Sequence, residues 1–119
     1  MNIIEFEQDI PFSQKVNIEG KIFEFDFYWR KADDSILLDL KDDNNKLIVK
    51  GEEIRYGMPL FYRMCPDVNG NIRQDLPQKL IVPLTQNMKY ERVGIETLFK
   101  TVFLTLQDVD IAITRTSEK

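Results

Sequence analysis

Lys21-Ile22-Phe23-Glu24-Phe25-Asp26-Phe27-Tyr28-Trp29-Arg30 is the stretch that decides the fold. Phe23, Phe25, Phe27 and Trp29 occupy every second position, with Ile22, Glu24, Asp26, Tyr28 and Arg30 between them. Alternation of this period belongs to a strand with one buried face; a helix would instead bring together residues three and four apart. The four aromatic rings are therefore expected in the core and the charged set on the opposite face.

The flanking sequence continues the pattern. Upstream, Val16 and Ile18 alternate with Lys15 and Asn17 over Gln14 to Ile18, and Glu19-Gly20 reads as a two-residue turn. Downstream, Lys31 to Ser35 is polar, and Ile36, Leu38 and Leu40 then share one face of a strand from Ile36 to Lys41. Asp42-Asp43-Asn44-Asn45 is a turn of residues that tolerate left-handed backbone. Lys46 to Lys50 returns as a strand, completing a second hairpin.

Further out the signals are shorter. Ile3 to Glu7 is a first strand. Met58 to Met64 reads as either a short strand or one helical turn. Asn69-Gly70 marks a turn within 67–72, and Gly51 and Gly57 bracket another turn-bounded piece. Lys79 to Leu84 is a strand ending at or just after Pro83. Thr97 to Leu106, which includes Leu104, is apolar enough for a strand buried on both faces, and Val109 to Thr114 follows an Asp108 turn. About eight short strands at such spacing predict an all-β domain, either an antiparallel sandwich or a small barrel.

Composition agrees. The chain has 119 residues, enough for one domain over 1–119. Alanine occurs only at Ala32 and Ala112, against 13 Ile, 7 Val and 8 Phe, a choice that favours strands. There is no histidine, which removes the commonest general base and the usual Ser/His and Cys/His nucleophile pairs. Cys65 is the single cysteine, so no intramolecular disulfide forms. The start, MNIIEFEQDIPF, lacks the basic and apolar regions of a signal peptide, and no apolar run approaches the ~20 residues of a membrane span. Synthesis in the cytoplasm is expected. A net charge of −4 with scattered Lys and Arg argues against nucleic acid as a partner.

Candidate chemistry is sparse. Asp42, Asn44 and Glu53 match positions one, three and twelve of a calcium loop, but Lys46 and Leu47 stand at positions five and six, where a ligand and a glycine are needed. A hairpin turn explains the cluster better. Glu24 and Asp26 lie on the charged face of their strand and read as solvated. Cys65 has no histidine to activate it, and the five glycines are isolated rather than gathered into a phosphate loop. No catalytic, metal or cofactor site is expected. The aromatic stripe is read as core before it is read as a stacking platform. Tyr56, Tyr62 and Tyr90 are candidate interface residues, because tyrosine is enriched where proteins meet.

Trp29 to Tyr62 carries a further pattern: Trp29-Arg30, Leu38-Asp39-Leu40, an Asp-containing turn, Leu47, Gly51, Gly57, Leu60 and Tyr62. In this order and spacing the chain resembles the small baseplate plug proteins of tailed bacteriophages and prophages. The likeness runs from about Val16 to Leu106 and takes in the late apolar strand at Thr101 to Leu106. It departs at Asn44-Asn45, where the family turn usually carries glycine, and in a longer, more polar stretch from Tyr62 to Pro77. The resemblance implies a structural subunit of the tail baseplate in the virion. Such a subunit works by assembly with other tail proteins, with homo-oligomer formation left open, and without catalysis. Two alternatives compete with it: a β-domain binding carbohydrate or peptide through the aromatic stripe, and a hydrolase using carboxylates alone.

Overall fold

The structure is a computed structural model and describes residues 2–6, 8–61 and 75–107. Seven strands lie among these residues: β1 (Asn2–Ile4), β2 (Phe12–Ile18), β3 (Lys21–Arg30), β4 (Ser35–Asp42), β5 (Leu47–Glu53), β6 (Leu80–Thr85) and β7 (Val102–Gln107). They form two antiparallel sheets. One is a four-stranded meander in the order β2-β3-β4-β5, and the other is three-stranded in the order β1-β7-β6. Each sheet turns an apolar face to the other in a sandwich-like arrangement, and no helix occurs among the described residues. The expectation of an all-β antiparallel fold holds, with two sheets rather than a closed barrel.

The core follows from the strand periodicity. Phe23, Phe25 and Phe27 of β3 are at most 2% exposed. Leu38 and Leu40 lie opposite Phe27 and Phe25 in β4 and are fully buried. Leu104 of β7 and Ile81 of β6 join the same apolar cluster from the other sheet. The Phe27 ring centroid lies 4.9 Å from that of Phe6, 5.0 Å from Phe12 and 5.3 Å from Phe99, with the Phe6 and Phe99 rings edge-on. Truncating a ring in such a setting costs about 3–5 kcal/mol. These side chains tie both sheets and the segments between them into one core.

Trp29 is a correction. The alternation places it with the three phenylalanines, yet it is 39% exposed. A period of two assigns a face and says nothing of depth. Trp29 lies in the last two residues of β3, beside the Lys31–Asp34 connection, and its indole N–H is satisfied at that rim by Asp34 Oδ1 at 2.8 Å.

The turns are mostly where the residue types put them. Glu19 (φ 54°) and Gly20 (φ 82°) both have positive φ, the signature of a type I′ hairpin. At Asn44-Asn45 the Asp42 carboxylate accepts from the backbone N–H of Asn44 and of Lys46, both at 2.9 Å, and Asn45 takes positive φ. Gly57 also lies in a turn, with its N–H on the Pro83 carbonyl at 2.8 Å. Gly51 is a second correction. It sits inside β5 at a register shift opposite Asp39, with φ 70°, and so is a bulge residue and not a turn residue.

Other boundaries move. Pro83 lies inside β6, which is tolerated because β6 is an edge strand. The late strand begins at Val102, and Thr97 to Thr101 is a compact turn closed by Thr101 N–H on the Thr97 carbonyl at 2.9 Å. Met58 to Phe61 is neither strand nor helix; its Leu60 and Phe61 are buried in the core. The expected turn at Gly70, the candidate interface residue Tyr62, Cys65 and the expected strand at Val109 to Thr114 lie outside the described residues.

Candidate assembly surface

The outer face of the four-stranded sheet carries most of the charged residues of β3 and β4, paired with one another. Lys41 Nζ is 2.8 Å from Asp26 and 3.9 Å from Glu24, its two neighbours across β3 and β4. Burial pushes the Asp26 carboxyl up, but the Lys41 ammonium and the Ser13 hydroxyl together outweigh it and leave that group below its usual range. The Asp26 hydrogen bond raises the Lys41 ammonium in turn. Tyr28 donates to Asp39 Oδ1 at 3.2 Å, and the same oxygen accepts the Gly51 N–H at 2.8 Å, which anchors the bulge. Burial first, then the Asp39 charge, hold the Tyr28 phenol above its ordinary value. Glu24 and Asp26, weighed in the sequence as a carboxylate pair, thus share one lysine on a sheet surface. Among the described residues no group of three or more His, Cys, Asp or Glu side chains is placed to hold a metal ion.

The β3–β4 connection is locked by side chains. Asp34 Oδ1 accepts from Trp29 Nε1 and from the Ile95 backbone N–H at 2.9 Å, while Oδ2 accepts from Arg92 Nη1 at 3.2 Å. Arg92 also donates to the Asp33 carbonyl. The Ile95 N–H, the Trp29 indole and Arg92 together hold the Asp34 carboxyl below its usual range. Gly94 makes this approach possible: a Cβ there would lie 2.3 Å from Asp34 Oδ2. Beside the clasp, Arg30 forks onto Asp33 at 2.9 and 2.7 Å and holds its carboxyl down to about 2.

Next to this clasp lies an exposed surface of large side chains. Tyr90 is 75% exposed and meets the half-buried Tyr56 edge to face, with ring centroids 5.4 Å apart. Tyr56 in turn reaches Thr85 through its hydroxyl at 3.2 Å. Both tyrosines line an open cleft of about 350 Å³ together with Met58, Arg55 and Arg92. Met58 is 55% exposed, and Met88, two residues before Tyr90 in sequence, is 60% exposed. Two of the three tyrosines picked out by residue type therefore stand together, brought in from the segments after β5 and after β6. The methionines were missed in the sequence, where isolated Met carries no periodicity. Met88 adopts a positive φ of 62°, and that was not legible either.

A second cleft, of about 400 Å³, lies where Phe6, Ile10, Leu98 and Phe99 meet Asp9 and Lys100. Neither cleft exposes the aromatic stripe. Phe23, Phe25 and Phe27 lie in the core, so nothing here supports a stacking platform for sugar or peptide.

An all-β fold with a complete core, a neutralised outer face and an exposed Tyr/Met surface suits a part built to pack against other chains. Residues 1–109 match the family of the cyanophage baseplate Pam3 plug gp18. The chain belongs to this baseplate plug family. No curated protein matches it. The match extends beyond both ends of the region whose motifs carry the resemblance. Membership makes the chain a structural component of the phage tail baseplate, located in the virion tail and interacting with other baseplate proteins. No helix among the described residues is long and apolar enough to cross a membrane.

Proposed function

We propose that this plug-family chain works as one non-catalytic β-domain that enters the baseplate through the surface formed by Tyr56, Met58 and Tyr90. The observation that carries the reading is the exposure of Met58 and Tyr90 beside the half-buried Tyr56. Large apolar side chains remain uncovered around one cleft in a protein whose core is otherwise well filled. Tyrosine and methionine are the residue types that interfaces favour, and the flanking Arg55 and Arg92 supply a polar rim. The absence of histidine from the chain and the pairing of Glu24 and Asp26 with Lys41 support a role without proton transfer. Synthesis in the bacterial cytoplasm, followed by incorporation into the tail, completes the reading. Self-association of the chain is a separate element of it, checked by the mass of the purified protein from light scattering.

The test is a phage carrying Met58→Asp and Tyr90→Asp in this gene. A charge placed at the centre of a desolvated contact is expected to reduce incorporation into purified tails by at least about tenfold. The far-ultraviolet spectrum and melting point of the isolated protein should stay close to wild type, because both side chains are exposed. Incorporation at the wild-type level would rule this surface out as the route of entry.

A further inference from the structure

Two surfaces of this protein complement each other and do not meet within one chain. The first is a knob. Met88, Lys89 and Tyr90 stand exposed in a row, and the turn beneath them is built to hold them out. Met88 donates its N–H to the Thr85 carbonyl at 3.2 Å, and Lys89 donates its own to Asn87 Oδ1 at 3.0 Å. The Thr85 hydroxyl donates to the Lys89 carbonyl at 2.7 Å. Met88 is thereby kept at positive φ, a backbone that a long side chain seldom takes. Strain of this kind persists where the surrounding structure fixes it, and it gathers at clamps and contact sites. A segment already fixed in shape loses little freedom when a partner covers it.

The second surface is the cleft of about 400 Å³ lined by Phe6, Ile10, Leu98 and Phe99, with Asp9 exposed among them. The Phe6 and Phe99 rings lie 4.9 Å apart and pack against the core, so the apolar wall is firm. Lys100, at the same cleft, is drawn to Glu96, 3.7 Å away. Asp9 has no such partner among the described residues, and neither has Lys89 on the knob. The cations beside the knob are already taken, Arg55 by Glu53 and Arg92 by Asp34. Glu91, which follows Tyr90, lines a separate cleft together with Lys100. Each surface therefore sets an unpaired charge among apolar side chains, positive on the knob and negative in the cleft.

Within one copy the two stay apart. Tyr90 lines the cleft that reaches Val93, whereas the acidic cleft takes up from Ile95, and the two share no lining residue. Between them, Arg92 and the Ile95 N–H are fixed on Asp34. We propose that the knob Met88-Lys89-Tyr90 of one copy seats in the Phe6, Ile10, Leu98 and Phe99 cleft of a second copy, with Lys89 against Asp9. A second copy is the occupant because this chain itself presents the matching charge beside matching apolar bulk. The inference rests on the proposed role of the Tyr56, Met58 and Tyr90 surface and names what covers its Tyr90 side. The apolar side chains supply the desolvated centre of the contact, and the ion pair sets its register and rejects like-charged surfaces.

Analytical ultracentrifugation of the purified full chain tests the contact, over a dilution series starting at about 1 mM, the weak end of the affinity scale. The wild-type chain should associate. Lys89→Glu and Asp9→Lys should each weaken that association at least about tenfold, because each sets like charges against one another. Mixed in equal amounts, the two variants should recover the wild-type midpoint, since each then meets the opposite charge. Both side chains are exposed, so the melting points of the variants should match wild type. A wild-type chain that stays monomeric throughout the series would overturn the proposal. So would unchanged association in both variants, or a mixture that associates no more tightly than either variant alone. Entry into tails is a separate readout. If the wild-type chain stays monomeric and Tyr90→Asp still fails to enter tails, the contact between copies falls and the proposed surface stands. If Tyr90→Asp enters tails normally while the charge exchange restores association, the proposed route of entry falls and the contact between copies stands.

Discussion

The two ends of β3 are closed by different means. At its start, Glu19-Gly20 turns the chain within two residues, with positive φ at both and the Asn17 side chain accepting the Gly20 N–H at 3.0 Å. The turn's own hydrogen bond is local, and Glu19 adds a half-exposed ion pair with Lys79. At its end, the Lys31–Asp34 connection is closed locally by the Asp34 N–H on the Lys31 carbonyl at 3.4 Å and by the Arg30–Asp33 fork, and distant contacts are added to these. Asp34, itself at φ 52°, is held by Trp29 from its own hairpin and by Arg92 and Ile95, about sixty positions away in the chain. One turn is specified by its own residues, and the other by local bonds together with its docking onto a distant loop. The contrast explains why the first was legible in the sequence and the second, with its partly exposed Trp29, was not.

Substitutions at the two ends should separate these modes. The largest effect is expected from Gly94→Ala. The added Cβ would meet Asp34 Oδ2 at 2.3 Å and force the carboxylate out of its three bonds. A lower midpoint in urea unfolding is expected, since the bridging hydrogen bonds that join the two segments through Asp34 are given up. An unchanged midpoint would show that the clasp does not hold the loop.

Trp29→Ala ranks next. A fully buried tryptophan would cost about 3–5 kcal/mol, but this ring is 39% exposed, so a loss of about 1–2 kcal/mol is expected. A value at the upper figure would mean that the ring is covered in solution by something other than this fold.

Asp34→Asn should act mainly through pH. The folded-state pKa of Asp34 is depressed, so its contribution is present above the ordinary value of 3.8 and is lost as the pH falls below it. Asp33, held down to about 2 by Arg30, extends the same loss further into acid. Between about pH 5 and pH 2, the wild-type unfolding midpoint should therefore fall more steeply than that of Asp34→Asn. Parallel curves would show that Asp34 titrates alike in the folded and unfolded chains.

Glu19→Asn should do least. Asn-Gly is the preferred type I′ pair, but the exchange also removes the exposed ion pair to Lys79, so the net change should stay within about 0.5 kcal/mol. A loss above about 1 kcal/mol would show that this end, too, depends on tertiary contacts.

What could be read without coordinates was whatever depends on neighbours in sequence. The alternation of Phe23, Phe25 and Phe27 marked the strand and its buried face. Asn44-Asn45 and Glu19-Gly20 marked their turns, and Trp29 to Tyr62 marked the family. Among the surface residues, Tyr56 and Tyr90 were chosen by type alone. Their meeting, and the presence of Met58 beside them, depends on how the segments after β5 and β6 fold toward each other.

The sequence by itself determined an all-β chain without histidine, its two tight hairpins and its membership of a structural family, because strand period, turn chemistry and residue inventory are local properties. Only the tertiary structure decided that there are two sheets rather than a barrel, that Gly51 is a bulge tied to Asp39, and that Trp29 sits at a rim. It alone showed that Gly94 must lack a side chain so that Asp34 can reach Ile95 and Arg92. Each of these depends on which distant segment packs against a residue, and a periodic pattern along one strand carries no record of that.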